Sequence, residues 1–360
     1  MIPVTILTGF LGSGKTTLLK RILTEKHGMK IAVIENEFGE ENIDNEILVQ
    51  EQAEQIVQMS NGCICCTIRG DLARALGDLA ARKRAGEIAF DRVVIETTGL
   101  ANPGPVAQTF FMDSEIGDAF LLDAIITLVD AKHADAQLDE HEVVQRQVGF
   151  ADRLFITKSD LVDEATLADL RHRLVHMNPK AAIKVVNFGD ADIKEIFDLR
   201  GFNLNAKLEI DPDFLAEDDH AHAHHHDHGH DHAHDHGHEH CDHDHGHCEH
   251  EGHAHHHHAH HDDRIKSFVY RNDRPFDPNK LEDFLGGVLQ IYGERLLRYK
   301  GVLYMKGVDR KVVFQGVHQM MGSDLAAKWL PVEKKTNKMV FIGIDLPQDL
   351  ITDGLDACLV

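Results

Sequence analysis

The chain has 360 residues and a formal net charge of −23 at pH 7, which is long enough for two folded units, each with its own core. Sixteen Asp and Glu and no Lys or Arg lie between Glu209 and Asp263, so most of the charge sits in one stretch and the rest of the chain is only mildly acidic. No cluster of Lys and Arg offers to displace counterions, which argues against nucleic acid as a partner, and the longest apolar run, Ala119 to Val129 with Asp123 inside it, is too short for the about 20 residues a bilayer requires.

Up to about Asn205, short apolar runs alternate with longer amphipathic ones, the pattern of a parallel sheet flanked by helices. The first run, Val4 to Leu7, leads into Gly9-Phe10-Leu11-Gly12-Ser13-Gly14-Lys15-Thr16 and a helix predicted from Lys15 to His27. This fits the G-x-x-x-x-G-K-[ST] pattern in the strand-to-helix context that gives it meaning. Glycines at 9, 12 and 14 let backbone N–H groups face phosphates, and the helix N-terminus adds a positive dipole end. Lys15 is the point charge for the β and γ phosphates, and Thr16 offers its hydroxyl to Mg²⁺. The motif begins too near Met1 for a secretory leader to precede it, so a cytoplasmic protein is expected.

Lys30 to Glu35 is the second predicted strand, and Glu35-Asn36-Glu37-Phe38-Gly39-Glu40 follows the P-loop helix where nucleotide switches place a first mobile loop. The carboxylates of this segment are candidate metal ligands alongside the thiols described next, although an acidic solvated loop accounts for them equally well. Asn61-Gly62-Cys63-Ile64-Cys65-Cys66 sets three thiols ahead of a helix predicted from Gly70 to Arg84, and a helix N-terminus favours thiolates, the metal-binding form. Cys63 and Cys66 have C-x-x-C spacing, and Cys65 adds a third soft donor that a redox pair does not need. Redox use and inert burial stay open as alternatives.

The predicted strand Arg92 to Ile95 ends in Glu96-Thr97-Thr98-Gly99, at the sheet edge where open α/β folds bind ligands. Glu96 is a candidate for holding magnesium or its water shell, and the Gly99 N–H for meeting the γ-phosphate; a plain strand and turn is the alternative. No glutamine that would position water follows it, so slow intrinsic turnover is expected. Strands at Ala124–Val129, Arg153–Thr157 and Ile183–Val186, with helices at Glu142–Phe150 and Glu164–His176, complete a doubly wound α/β domain over residues 1–205. Within it, Thr157-Lys158-Ser159-Asp160 suggests the base: a carboxylate at Asp160 accepts from the N1 and N2 donors of guanine, which adenine lacks, while the Lys158 stem covers the ring.

From His220 to His261 the periodicity gives way to His, Asp, Ala and Gly, with 23 of the 29 histidines inside it. Such a segment has little apolar surface to bury against its ordering cost, so disorder is expected without metal. Imidazole suits zinc, copper and nickel, and the linker over residues 206–263 therefore reads as a multivalent metal reservoir in which no single ligand can be chosen. Strands at Arg264–Arg271, Gly301–Met305, Lys311–Gln319 and Lys338–Asp345, with a helix at Pro278–Tyr292, predict a smaller α+β domain over residues 264–360.

Together the P-loop from Gly9 to Thr17, Glu35-Asn36-Glu37-Phe38-Gly39, Cys63-Ile64-Cys65-Cys66, Glu96-Thr97-Thr98-Gly99 and Arg298-Tyr299-Lys300-Gly301 resemble the CobW-like metal-binding P-loop GTPases, most closely their YjiA-like subgroup. The resemblance implies GTP hydrolysis to GDP coupled to metal binding, with Mg²⁺ at the nucleotide and Zn²⁺, or Co²⁺ or Ni²⁺, as the handled ion. Carried over, it puts phosphates at Gly9 to Thr17, guanine at Asp160, and metal at Cys63, Cys65 and Cys66 with Glu35 and Glu40 as candidate helpers. It also implies a metal-dependent client protein as partner, with a second copy of the chain as an option. The family's usual base motif is Asn-Lys-x-Asp, whereas Thr157 stands here in the Asn position. A metal store with incidental hydrolysis is a second reading, and a P-loop kinase with a structural zinc a third, for which no acceptor-binding motif is found.

Overall fold

The computed structural model describes residues 1–35, 68–202 and 263–360. Glu40, Cys63, Cys65, Cys66 and the His-rich tract lie outside the described residues. Strands β1 (Ile2–Gly9), β2 (Ile31–Glu35), β3 (Arg92–Glu96), β4 (Phe120–Asp130), β5 (Arg153–Thr157) and β6 (Ala182–Val185) form one parallel sheet in the order β2-β3-β1-β4-β5-β6. Parallel crossovers are right-handed, so the direction in which the chain steps along the sheet decides which face its helix covers. The step from β1 to β2 runs one way, and α1 (Lys15–Thr24) buries Leu18, Leu19 and Ile22 on one face with Ile196 and Phe197. Every later step runs the other way. Accordingly α2 (Ile68–Arg84), α3 (Pro103–Met112), α6 (Glu142–Phe150) and α7 (Glu164–Met177) share the opposite face.

Each predicted strand and helix of this domain is present, and three further helices were not foreseen: α3, α4 (Ser114–Ala119) and α5 (Ala134–Glu140). The signals of α3 and α4 are local caps rather than long periodic runs: Asn102 accepts from Gly104 N with Pro103 in the first turn, and Asp113 accepts from Glu115 N and Ile116 N. Helix α1 stops at Thr24 and not at His27. There the His27 ring takes over, with Nε2 2.9 Å from Ile22 O and Nδ1 accepting from Met29 N at 3.1 Å, a side-chain turn that competes with the helix.

The C-terminal unit is a five-stranded antiparallel sheet, β10-β9-β8-β11-β7, built from β7 (Ile265–Asn272), β8 (Leu296–Leu303), β9 (Arg310–Val317), β10 (Met320–Lys328) and β11 (Asn337–Ile344). Helices α8 (Pro278–Tyr292) and α9 (Gln348–Ala357) cover one face, enclosing Phe268, Tyr299, Phe314, Met339 and Phe341. The edge strand β10 and α9 were not foreseen; β10 exposes most of its residues, so it lacks the apolar alternation that marks a half-buried strand.

Each unit has a buried cluster of its own, and a further cluster runs across the boundary between them. On its other face the C-terminal sheet contributes Ile265, Leu297, Val317, Val340, Ile342 and Ile344 to the same core as Val144, Val148 and Phe150 of α6. Helix α6 is therefore packed between two sheets, and Gly149 is the point of closest approach, where a Cβ would lie 2.8 Å from Leu297 Cδ1. Arg298 of β8, 3% exposed, crosses this boundary. It donates to both Asp152 oxygens at 3.0 and 2.6 Å, to Phe150 O at 3.2 Å and to Gly201 O at 2.8 Å, and its guanidinium lies 3.8 Å from the Phe202 ring centre. Removing one member of a buried, fully bonded ion pair strands the other. Arg298→Met is expected to cost about 3–5 kcal/mol in urea unfolding, and the double change Arg298→Met with Asp152→Leu to cost less than the single one.

Candidate nucleotide and metal site

All six parallel strands point their C-terminal ends to one edge, and β1 lies between β3 and β4. The loop after β1 is thus flanked by the end of β3 at Glu96 and the end of β4 at Asp130. Gly9, Gly12 and Gly14 have φ of 139°, 74° and 98°, a region closed to most side chains. Gly9 also has no room for a Cβ, which would sit 2.4 Å from Leu128 O. The loop curls back so that Ser13 N donates to Phe10 O at 3.1 Å, and the Ser13 hydroxyl is buried with no hydrogen-bond partner among the described residues.

Lys15, 8% exposed, donates its ammonium to Gly9 O at 2.8 Å and Phe10 O at 3.1 Å. Burial pulls its pKa below the ordinary lysine value, and the Glu96 carboxylate pushes it partly back. Beside it Thr16 Oγ1 donates to Glu96 Oε1 at 3.1 Å. Gly99 lies against the loop: a Cβ there would come within 2.6 Å of Leu11 N. The segment from Gly99 to Ala101 is tied down by Gln147 of α6, whose Nε2 donates to Gly99 O at 3.1 Å and Ala101 O at 3.0 Å. Phe10 stacks on His141, with ring centres 4.8 Å apart.

On the other side of the loop a cleft of about 280 Å³ is lined by Ser13, Gly14 and Thr17, by Thr157, Lys158, Asp160 and Leu161 after β5, by Leu128, and by Val186, Phe188 and Gly189 after β6. Thr157 braces it to the loop, because its hydroxyl donates to Ser13 O at 2.9 Å with Val129 O at 3.3 Å. Lys158 has φ 55° and donates to Asp130 Oδ2 at 2.7 Å. Asp160 is exposed at the mouth.

Residues 3–185 match the model of the CobW/HypB/UreG nucleotide-binding domain, and residues 265–359 match that of the C-terminal domain of the cobalamin synthesis protein CobW. The chain belongs to this family. It is 39% identical over 351 residues to the zinc chaperone YjiA of Escherichia coli, a match covering 97% of this chain and 96% of that protein. It is also 33% identical over 389 residues to the zinc chaperone CobW of Pseudomonas aeruginosa, covering 99% and 92%. The crystal structure of the Zn(II)-bound YjiA GTPase from E. coli aligns with a TM-score of 0.71 at 33% identity, covering 100% of this chain and 99% of that one.

In this CobW-family member the structure brings Glu96 and Gly99 to one side of the loop from Gly9 to Thr17, and Lys158 and Asp160 to the other. Glu35 closes β2 with its backbone in register beside Glu96, and α2 begins two residues after Cys66. Sequence reasoning missed Gln147, Asp130 and the run Val186-Asn187-Phe188-Gly189. That run does carry a signal, an Asn and a Gly directly after a strand. Asn187 Oδ1 accepts from Ser159 N at 3.0 Å, and a Cβ at Gly189 (φ 74°) would lie 3.1 Å from α1 backbone. Thr157→Val keeps the shape but leaves the Ser13 and Val129 carbonyls without this donor; a loss of about 1–3 kcal/mol in urea unfolding is expected, together with a weaker GDP affinity by calorimetry.

Proposed function

We propose that the chain binds zinc or a similar divalent transition metal, holds it according to the nucleotide bound, and passes it to a metal-dependent client when GTP is hydrolysed. The chain is a GTPase of the CobW/HypB/UreG family. What carries the coupling is position: the Thr16 to Glu96 contact lies at the same sheet edge as the end of β2 at Glu35 and the start of α2 just past Cys66.

In this reading Lys15 exchanges its two loop carbonyls for the β and γ phosphates, and the orphaned Ser13 hydroxyl and the N–H groups of Gly12 to Thr17 gain partners. Two oxygen donors side by side at Thr16 and Glu96 fit a hard cation, and Mg²⁺ held there supplies charge neutralisation for the phosphates. Gly99, pressed on Leu11 and tethered by Gln147, is placed to register a γ-phosphate. Asp160 selects guanine, and Thr157 serves the loop rather than the base. Cys63, Cys65 and Cys66, with Glu35 and Glu40, form the zinc site, and the His-rich tract feeds it. The zinc chaperone YjiA, at 39% identity, supports zinc as the ion over cobalt or nickel.

Lys15→Ala is expected to abolish GTP hydrolysis while leaving zinc stoichiometry at the tract unchanged, because the lost charge acts only on phosphate; near wild-type phosphate release would remove the P-loop assignment. Zinc affinity is expected to be about 5- to 150-fold higher with a non-hydrolysable GTP analogue than with GDP, a coupling of roughly 1–3 kcal/mol. The titration uses protein whose residues 219–261 are replaced by a Gly/Ser spacer, and Cys65→Ser should abolish the difference. Equal affinities in the two nucleotide states would leave a metal buffer with a GTPase attached.

A further inference from the structure

Asp130 ends β4 next to the cleft and is 2% exposed, and its side-chain hydrogen bonds among the described residues go to Lys132, His133 and Lys158 rather than to the glycine loop. Its Oδ2 accepts from Lys158 Nζ at 2.7 Å and lies 2.9 Å from His133 Nδ1, while Oδ1 accepts from Lys132 N at 3.0 Å. Burial alone would raise the Asp130 carboxyl, but the Lys158 ammonium and the His133 ring outweigh it and hold the group below the usual carboxylate range. The carboxylate is therefore a fixed negative charge.

Lys158 is held from two directions. Its backbone sits at φ 55°, and the Thr157 carbonyl before it accepts from Ala131 N at 2.9 Å, which locks the end of β5 to the residue after Asp130. Its side chain, 37% exposed, then runs along the cleft wall to Asp130. A lysine stem is otherwise among the most mobile side chains, and ordering it on binding weakens affinity.

We propose that Asp130 is a positioning residue for nucleotide binding, holding the Lys158 stem against the cleft wall so that the base meets an already ordered surface. The inference rests on the reading of the cleft as the guanine site. It assigns Asp130 a role in affinity and none in the chemical step, since Lys158 reaches the base and not the reacting phosphate. The competing account gives Asp130 only the β4 to α5 turn, through Lys132 N and His133.

The experiment uses the full chain and the variants Asp130→Asn, Lys158→Met and their combination, with KM and kcat for GTP and calorimetric affinity for GDP. Asp130→Asn is expected to raise KM and the GDP Kd by roughly 5- to 20-fold, with kcat changed by less than about twofold. Lys158→Met should do the same, and adding Asp130→Asn to it should change nothing more. His133→Ala, which leaves Lys158 paired, should keep KM near the wild type.

An Asp130→Asn effect of equal size in the Lys158→Met background would show that Asp130 acts through the fold, and would overturn the inference. So would a rise in KM for Lys158→Met with none for Asp130→Asn. No effect of Lys158→Met on KM would instead remove the guanine-site reading itself. Should nucleotide-free melting show Asp130→Asn to be unfolded, the same cycle is run with Asp130→Glu, which keeps the charge and displaces it by one methylene.

Discussion

Parallel strands end together, and the right-handed crossover decides what meets at that end. Because the first step of the chain runs opposite to all later ones, β1 is left in the interior of the sheet with β3 and β4 as neighbours. The glycine loop after β1 consequently has one side facing the Glu96 to Gly99 segment and the other facing the ends of β4, β5 and β6. The two sides are separated by the width of one loop, and each has its own bracing contacts: Thr16 with Glu96 and Gln147 with Gly99 on one side, Thr157 with Ser13 and Lys158 with Asp130 on the other.

Helix α6 connects this edge to the rest of the molecule. Its Gln147 side chain holds the Gly99 to Ala101 backbone, its Gln147 carbonyl accepts from Thr127 of β4 at 2.7 Å, and its far end, Gly149 and Phe150, is seated in the C-terminal sheet. The same sheet approaches the nucleotide side again through His318, whose ring packs edge-on against Phe150 and leaves no room for a Cβ at Gly104. The Gly99 segment and the C-terminal unit thus both rest on α6.

Buried charge holds the two units in register. Arg298 with Asp152 fixes the boundary near α6, and Arg173 of α7 gathers Asp135, Asp139 and Asp263, the last at 2.7 Å. Asp263 lies two residues past His261, the last histidine of the tract, so the point at which the chain returns to the C-terminal unit is clamped to the nucleotide-binding domain. Ion pairs of this kind add specificity of arrangement more than net stability, because desolvation offsets much of their Coulomb attraction.

Much of the nucleotide site was legible in the chain itself. The residues from Gly9 to Thr17 are contiguous and their conformation is set by glycines whose φ values other residues avoid, and Glu96 and Asp160 follow apolar strands that can end only at the ligand edge of a parallel sheet. The six strands, the four foreseen helices of the first domain and the acidic, His-rich interruption likewise come from periodicity and composition, which are local properties. Tertiary structure decided the rest, for a common reason: those groups act across long sequence separations. Thr157 is defined by a carbonyl 144 residues away, Gln147 by carbonyls 46 and 48 residues away, and Asp130 by a lysine 28 residues away. The sharing of one core by two domains belongs to the same class, since an apolar face on a strand records that it is buried but not what buries it.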